Sequence, residues 1–335
     1  MSTDGTDAEA FTYDGGRVDP GEIQHLRYGV SETYLGDPVR IPVTVCNGER
    51  PGPTMFLSAA SHGDELNGIE VVREVADDWA ATDLRGTIVC LPVLNVPGFL
   101  FQQRYLPVYD RDLNRAFPGD PDSTSAKRMA HGIFRNFIAP CDVGLDFHTS
   151  TRGRSNLVHV RADLDDDAVE RLARGFGSNV IIESEGASGT LRREASDAGV
   201  PTITIEMGEA HRFQRDLIDR ALSGVASVAA EYGLVEGGAV SRPEWRAVIG
   251  SSDKTWLRAD VGGMVEMHYD RGEVVPEGNT VCTITDPFKG GAVEVPAPFD
   301  GLLVGILENP VVYPGNPLCH LASIDADTLR AYRGS

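Results

Sequence analysis

TMFLSAASHGDELNGIEVVREVADDWA, residues 54–80, is the stretch on which the fold turns. Its first seven residues, 54–60, are apolar on both parities, as a strand covered on both faces requires. Ser61-His62-Gly63-Asp64-Glu65 then breaks the run with polar and turn-forming side chains. From 65 to 80 the apolar residues recur at helical spacing, which predicts an amphipathic helix. The same alternation extends in both directions. Further strands are expected at 41–45, 87–93, 143–149, 156–160, 179–184 and 202–207. Helices are expected at 124–138, 165–175, 190–198 and 212–232, with Ser123 or Thr124 capping the first and Asp165 or Asp166 the second. Strands alternating with helices predict an α/β fold over 37–237, a mixed and mostly parallel sheet with helices on both faces.

The pattern changes near Gly237-Gly238. Residues 243–325 read as short strands punctuated by turns, and Pro276-Glu277-Gly278-Asn279 is echoed by Pro314-Gly315-Asn316. This predicts a small all-β barrel-sandwich domain with a weak internal duplication. Biotinyl and lipoyl carrier domains of that type hold a modified lysine at a tight hairpin tip, and the only lysine in the two half-repeats is Lys289. It lacks the flanking methionines and reads as a turn residue. Residues 1–36 form a polar segment and lead-in, of which 1–20 are expected to be mobile.

Charge narrows the partners. Among 335 residues, Asp+Glu number 50 against 30 Lys+Arg, a net charge of −20, and only three of the basic residues are lysines. Nucleic acid and anionic membrane both call for a basic footprint, which is missing here. The spread of acid along the chain resembles the solvated surface of a protein adapted to high salt. The N-terminus has neither basic nor apolar signal-peptide regions, and no stretch approaches 18 apolar residues. Five widely spaced cysteines without a C-x-x-C read as reduced thiols. The expected compartment is the cytoplasm.

His62 and Glu65 are three residues apart at a strand-to-helix turn, so both can reach one ion. His148 ends another predicted strand, and in open α/β sheets sites gather outside the carboxyl ends of strands. Asp146 lies two residues earlier on the same strand face and is expected to orient a ligating histidine, His62 first. Taken singly, each fragment is more often structural; together, at the ends of two strands, they favour a metal. The loop 103–119 carries Arg104, Arg111 and Arg115. Asn114 beside Arg115 makes a donor set fit for a carboxylate, whereas Arg111 reads as a partner of Asp110 or Asp112. Glu206 closes the apolar strand 202–207, where a carboxylate is costly unless it is used, here as a general base. Arg192 or Arg193 either pairs with it or offers a further cationic contact to substrate.

HGDE, DLNRAFPG, DFHT and IEMG, in this order, resemble the succinylglutamate desuccinylase/aspartoacylase family within the zinc carboxypeptidase superfamily. The resemblance implies a zinc carboxypeptidase-like catalytic domain with one zinc per chain, held by His62, Glu65 and His148. It implies Glu206 as general base, Arg104 polarising the scissile carbonyl, and Asn114 with Arg115 holding a substrate carboxylate. The expected reaction is removal of the acyl group from a small N-acyl amino acid. The C-terminal β domain is expected to pack beside the site and keep long peptides out. The alternative is a zinc carboxypeptidase acting on short peptides. The resemblance names neither the acyl group nor the amino acid, and a homo-oligomer is compatible with it.

Overall fold

The computed structural model describes residues 8–79, 81–107, 110–288 and 290–334. Lys289 lies outside the described residues. The strands before the longest helix are β1 (Phe11–Tyr13), β2 (Gly16–Val18), β3 (Ile23–Glu32), β4 (Pro38–Asn47), β5 (Arg50–Ala59), β6 (Arg85–Leu91), β7 (Val143–Ser150), β8 (Arg154–Ala162), β9 (Val180–Glu183) and β10 (Thr202–Glu209). The helices are α1 (Asn67–Asp78), α2 (Val96–Leu100), α3 (Ser125–Ile133), α4 (Asp167–Gly175), α5 (Leu191–Asp197), α6 (Arg215–Glu231) and α7 (Ala326–Gly334).

β6, β5, β7 and β10 run parallel in that order at the centre of a mixed sheet, and antiparallel β4 and β3 extend one edge. Alternation along the strands builds two cores. Met55, Leu57 and Ala59 of β5 pack with Val71 and Val75 of α1 and Leu217 and Val225 of α6 on one face. Phe56, Val89 and Leu91 face the other way and pack with Met129 and Ile133 of α3 and Leu191 and Ala195 of α5. With both faces covered, the central strands have no solvent side, and every residue of β7 is buried. All five cysteines are buried and free.

Residues 8–20 depart from expectation, because β1 and β2 form a hairpin that places Phe11 and Val18 in the second core; residues 1–7 lie outside the described residues. Asn47 fastens this segment by donating to the carbonyls of Glu9 (2.9 Å) and Val18 (3.0 Å).

After α6 come β11 (Ala247–Ile249), β12 (Lys254–Arg258), β13 (Gly263–Met267), β14 (Val274–Val275), β15 (Thr280–Thr285), β16 (Ala292–Pro296), β17 (Gly301–Leu307), β18 (Val311–Val312) and β19 (Pro317–Ser323). β13, β15, β16 and β18 form a separate antiparallel sheet. β17 pairs with β8, and β19 and β12 follow it, so the large sheet continues unbroken into the C-terminal β region. That continuity sets β12 beside the carboxyl ends of β7 and β10.

Candidate active site

Ala60, at a left-handed φ of 48°, turns the chain out of β5 into Ser61–Leu66. Gly63 is required there: a Cβ would stand 2.1 Å from the Gly98 carbonyl carbon of α2. This turn presents His62 and Glu65, and β7 presents His148 from the neighbouring strand. All three are buried, and their donor atoms lie within 4.8 Å of one another. His62 Nδ1 is 2.8 Å from Glu65 Oε1, and His148 Nδ1 is 2.9 Å from Glu65 Oε2. Two imidazoles and a carboxylate are a donor set that fits zinc and leaves a fourth position for water.

Each outer imidazole nitrogen meets a carboxylate. His148 Nε2 is 2.8 Å from Asp146 Oδ2, and Asp146 Oδ1 accepts from the Ser58 hydroxyl at 2.8 Å. His62 Nε2 is 3.2 Å from Asp112 Oδ1. Asp146 therefore orients His148 and not His62, since the two share one face of the same strand. Asp112, read from sequence only as an ion-pair partner, serves His62. It also accepts from the Asn114 amide at 2.9 Å, and so fixes the Leu113–Arg115 turn.

Charge in this group is mutually enforced. Burial opposes protonation of His148, but Asp146 and Glu65 outweigh it and raise its pKa well above the usual value. Burial likewise opposes charge on His62, and Glu65 and Asp112 reverse it. Burial would raise the Glu65 pKa, yet the two imidazoles pull it well below the usual carboxylate range. A field that attracts protons this strongly would also hold a divalent cation, which displaces them on binding.

The trio opens into a cavity of about 300 Å³ that is also lined by Arg104, Asn114, Arg115, Arg192 and Glu206. Arg104 Nη1 donates to Glu65 Oε1 at 2.7 Å, and the Arg104 carbonyl accepts from the Gly63 amide at 3.2 Å. Asn114 is buried; its Oδ1 accepts from the Leu191 amide at 2.8 Å. Arg115 donates to the Asn114 carbonyl at 2.6 Å. Gly189, at φ +83°, lets the α5 turn approach: a Cβ there would stand 2.6 Å from the Arg115 carbonyl oxygen. α5 then delivers Arg192 inward, where it is buried and donates to the Ser184 carbonyl at 2.7 Å. Burial, with Arg161 nearby, pushes the Arg192 pKa down to about 10. Arg193 points outward to Glu185 and Asp197.

Glu206 sits on β10 in register with His148 of β7 and His159 of β8. Its Oε2 accepts from Asn156 Nδ2 at 3.0 Å, and its Oε1 lies 3.3 Å from Arg161 Nε. Arg154, Asn156 and Arg161 of β8 and Trp256 of β12 also line the cavity. None of the four was singled out from sequence. The arginines flanking the expected 156–160 strand were the available signal; Trp256 offered none, standing in no motif and well beyond the last of them, IEMG at 205–208.

Residues 51–232 match the succinylglutamate desuccinylase/aspartoacylase catalytic domain. The N-alpha-acetyl-L-2,4-diaminobutyric acid deacetylase of Halomonas elongata is 26% identical across 85% of this chain and 86% of its own. The succinylglutamate desuccinylase of Burkholderia cenocepacia is 28% identical across 76% of this chain and 80% of its own. The fold is shared with the product-bound ectoine utilization protein of Ruegeria pomeroyi, with a TM-score of 0.80, 22% identity and coverage of 97% and 100% of the two chains. A succinylglutamate desuccinylase of Silicibacter gives a TM-score of 0.82 at 24% identity, with the same coverage.

Proposed function

The chain belongs to the succinylglutamate desuccinylase/aspartoacylase family, and on that premise we propose that it is a zinc-dependent deacylase of small N-acyl amino acids. One observation carries the reading: a buried His62–Glu65–His148 trio, each histidine backed by a carboxylate, opens into the same cavity as Glu206 and a set of arginines. One zinc per chain, bound by the trio, would supply Lewis acidity and a water that ionises near neutral pH.

The chain's own groups account for the remaining chemistry. Glu206 takes the proton of the attacking water and returns it to the leaving amine. Asn156 and Arg161 hold its carboxylate for that task. Arg104 keeps guanidinium donors beyond its bond to Glu65 and directs them at the developing oxyanion. Asn114, Arg115 and Arg192 fix the substrate carboxylate, which supplies proximity. We divide the chain into a lead-in (1–36), the catalytic domain (37–237) and a C-terminal β domain (243–325) that walls the cavity with Trp256. A cavity of about 300 Å³ suits a small acylated amino acid better than a peptide.

No helix among the described residues is long and apolar enough to cross a membrane, and the five free buried cysteines support a cytoplasmic setting. The net charge of −20 supports adaptation to high salt.

Metal analysis combined with a substrate panel tests the reading. The expected result is one zinc per chain, hydrolysis of N-acyl amino acids, and a loss of about 100-fold or more in kcat for Glu206→Gln. Faster cleavage of short peptides would favour the carboxypeptidase alternative. Full activity in metal-free protein, or in Glu206→Gln, would overturn the mechanism.

A further inference from the structure

The two longest stretches of the chain without an acid are residues 84–109 and 123–141. The fold brings them to one face. Pro97, Phe101, Leu106 and Pro107 from the first and Met129 from the second line an apolar groove of about 620 Å³, together with Tyr34 and Val39 of the β3–β4 hairpin. Among the described residues Glu32 is the one charged side chain in that lining. Around it Tyr34, Leu35, Leu100 and Phe101 are 86%, 89%, 72% and 70% exposed, and Phe99 and Tyr105 are exposed as well. Hydrogen bonds hold these side chains out. Asn95 caps α2, its Oδ1 accepting from the Gly98 amide at 2.8 Å, and α2 lies against the Gly63 turn. At the hairpin tip the Thr33 hydroxyl accepts from the Leu35 and Asp37 amides at 3.3 and 3.1 Å, and Gly36 supplies the φ of +82° that closes the turn.

We infer that this face is a two-fold interface between two copies of the chain, the Tyr34–Leu35 tip of each copy seated in the groove of the other. A second copy fits in area, shape and charge. The six exposed side chains present on the order of 600 Å² of apolar surface, as much as the largest patch a monomer usually leaves in water. A stable interface takes about 800 Å² from each partner, a little over half of it apolar, so the patch supplies the apolar share. The protruding tip and the groove lie side by side, and a two-fold axis between them pairs each tip with the other groove. Two chains of net charge −20 repel wherever their acids meet, and this acid-poor face is where they can approach. A centre rich in aromatic residues and poor in charge is also the composition of interface cores.

Sedimentation velocity and light scattering on the full chain, from about 0.1 to 50 μM, read the association directly. A dimer is expected, with a Kd that falls at least about tenfold between 0.1 and 1 M KCl, as the screening length shrinks from about 10 Å to about 3 Å. Leu35→Asp or Leu100→Asp should raise Kd by about 100-fold or more, because each puts a carboxylate into an apolar contact. Both side chains stand in water in the single chain, so circular dichroism should match wild type. Tyr313→Asp, at a side chain 79% exposed in the C-terminal β region, adds the same charge and should leave Kd within about twofold. All five native cysteines are buried, so introduced ones can be linked selectively. A short bis-maleimide should join Leu35→Cys to Phe101→Cys in a mixture more readily than either variant to itself. A monomer at every concentration and salt, a Kd that rises with salt, dissociation by Tyr313→Asp but not by the leucine variants, or no excess of the mixed link would overturn the inference.

Discussion

His62 and His148 on one side of the cavity, and His159 and His320 behind the other, are the same residue at nearly the same depth, with 3%, 5%, 0% and 4% of their surface exposed. Their pKa values nevertheless move in opposite directions. Burial disfavours charge on all four. Next to the first pair stand Glu65, Asp112 and Asp146, and charge is restored. Next to the second pair stand Arg161 and Lys254, and burial is reinforced: His159 falls well below its usual value and His320 to about 4. His159 donates from Nδ1 to the Leu157 carbonyl at 2.9 Å, as a neutral imidazole can. Neighbours, not depth, set the sign. One wall is therefore prepared for a cation and the other for an anion, within one cavity of about 300 Å³.

The metal wall can be tested by linkage. A ligand that binds only the folded chain stabilises it by about 4 kcal/mol at a thousandfold excess over its Kd. Zinc at that excess is expected to shift the denaturant midpoint of the stripped protein accordingly, and chelation to reverse the shift. A midpoint indifferent to zinc would remove the cation wall from the comparison.

Acid tests the other wall. The folded pKa of His320, about 4, lies below the ordinary 6.5, so the unfolded chain takes up the proton first. The stability it contributes is complete above 6.5 and is lost as pH falls through that value, about 3 kcal/mol by pH 4. His159 acts in the same direction. Unfolding free energies of wild type and His320→Phe, which keeps a ring against Trp256, should converge over this interval by that amount. Parallel pH profiles would mean that His320 is not held neutral.

The two walls were not equally legible. The metal wall lies on local motifs. Strand 54–60 was readable because both its faces are buried, and Asp166 because it caps α4 at the Ala168 and Val169 amides. Alternation along β7 predicts that Asp146 and His148 share a face, but it cannot say which imidazole Asp146 meets; the facing strand, through Ser58, decides that. The arginine wall is long-range. Arg154 meets Trp256 only because β17 joins β8 and carries β12 toward it through β19. Nothing in residues 150–160 announces that pairing. The β1–β2 hairpin was missed for a related reason: Phe11 and Val18 are two apolar residues in a polar stretch, and what buries them lies elsewhere in the chain.

The smallest expected effect concerns the carboxylates behind the metal wall. Each fixes its histidine with Nε2 protonated, which leaves Nδ1 free to bind a metal. An Asn can still accept that bond but brings no charge. Asp146→Asn is expected to weaken zinc binding by about 10- to 100-fold, measured by competition with a chelator. Asp112→Asn should fall at or below the lower end. Asp146 is fully buried, bonds at 2.8 Å and is braced by Ser58, whereas the Asp112 side chain is 19% exposed and stands at 3.2 Å. Water screens the second pair and not the first. If Asp112→Asn proves the more damaging, its hold on the Leu113–Arg115 turn outweighs its charge, and loss of substrate affinity should accompany loss of zinc.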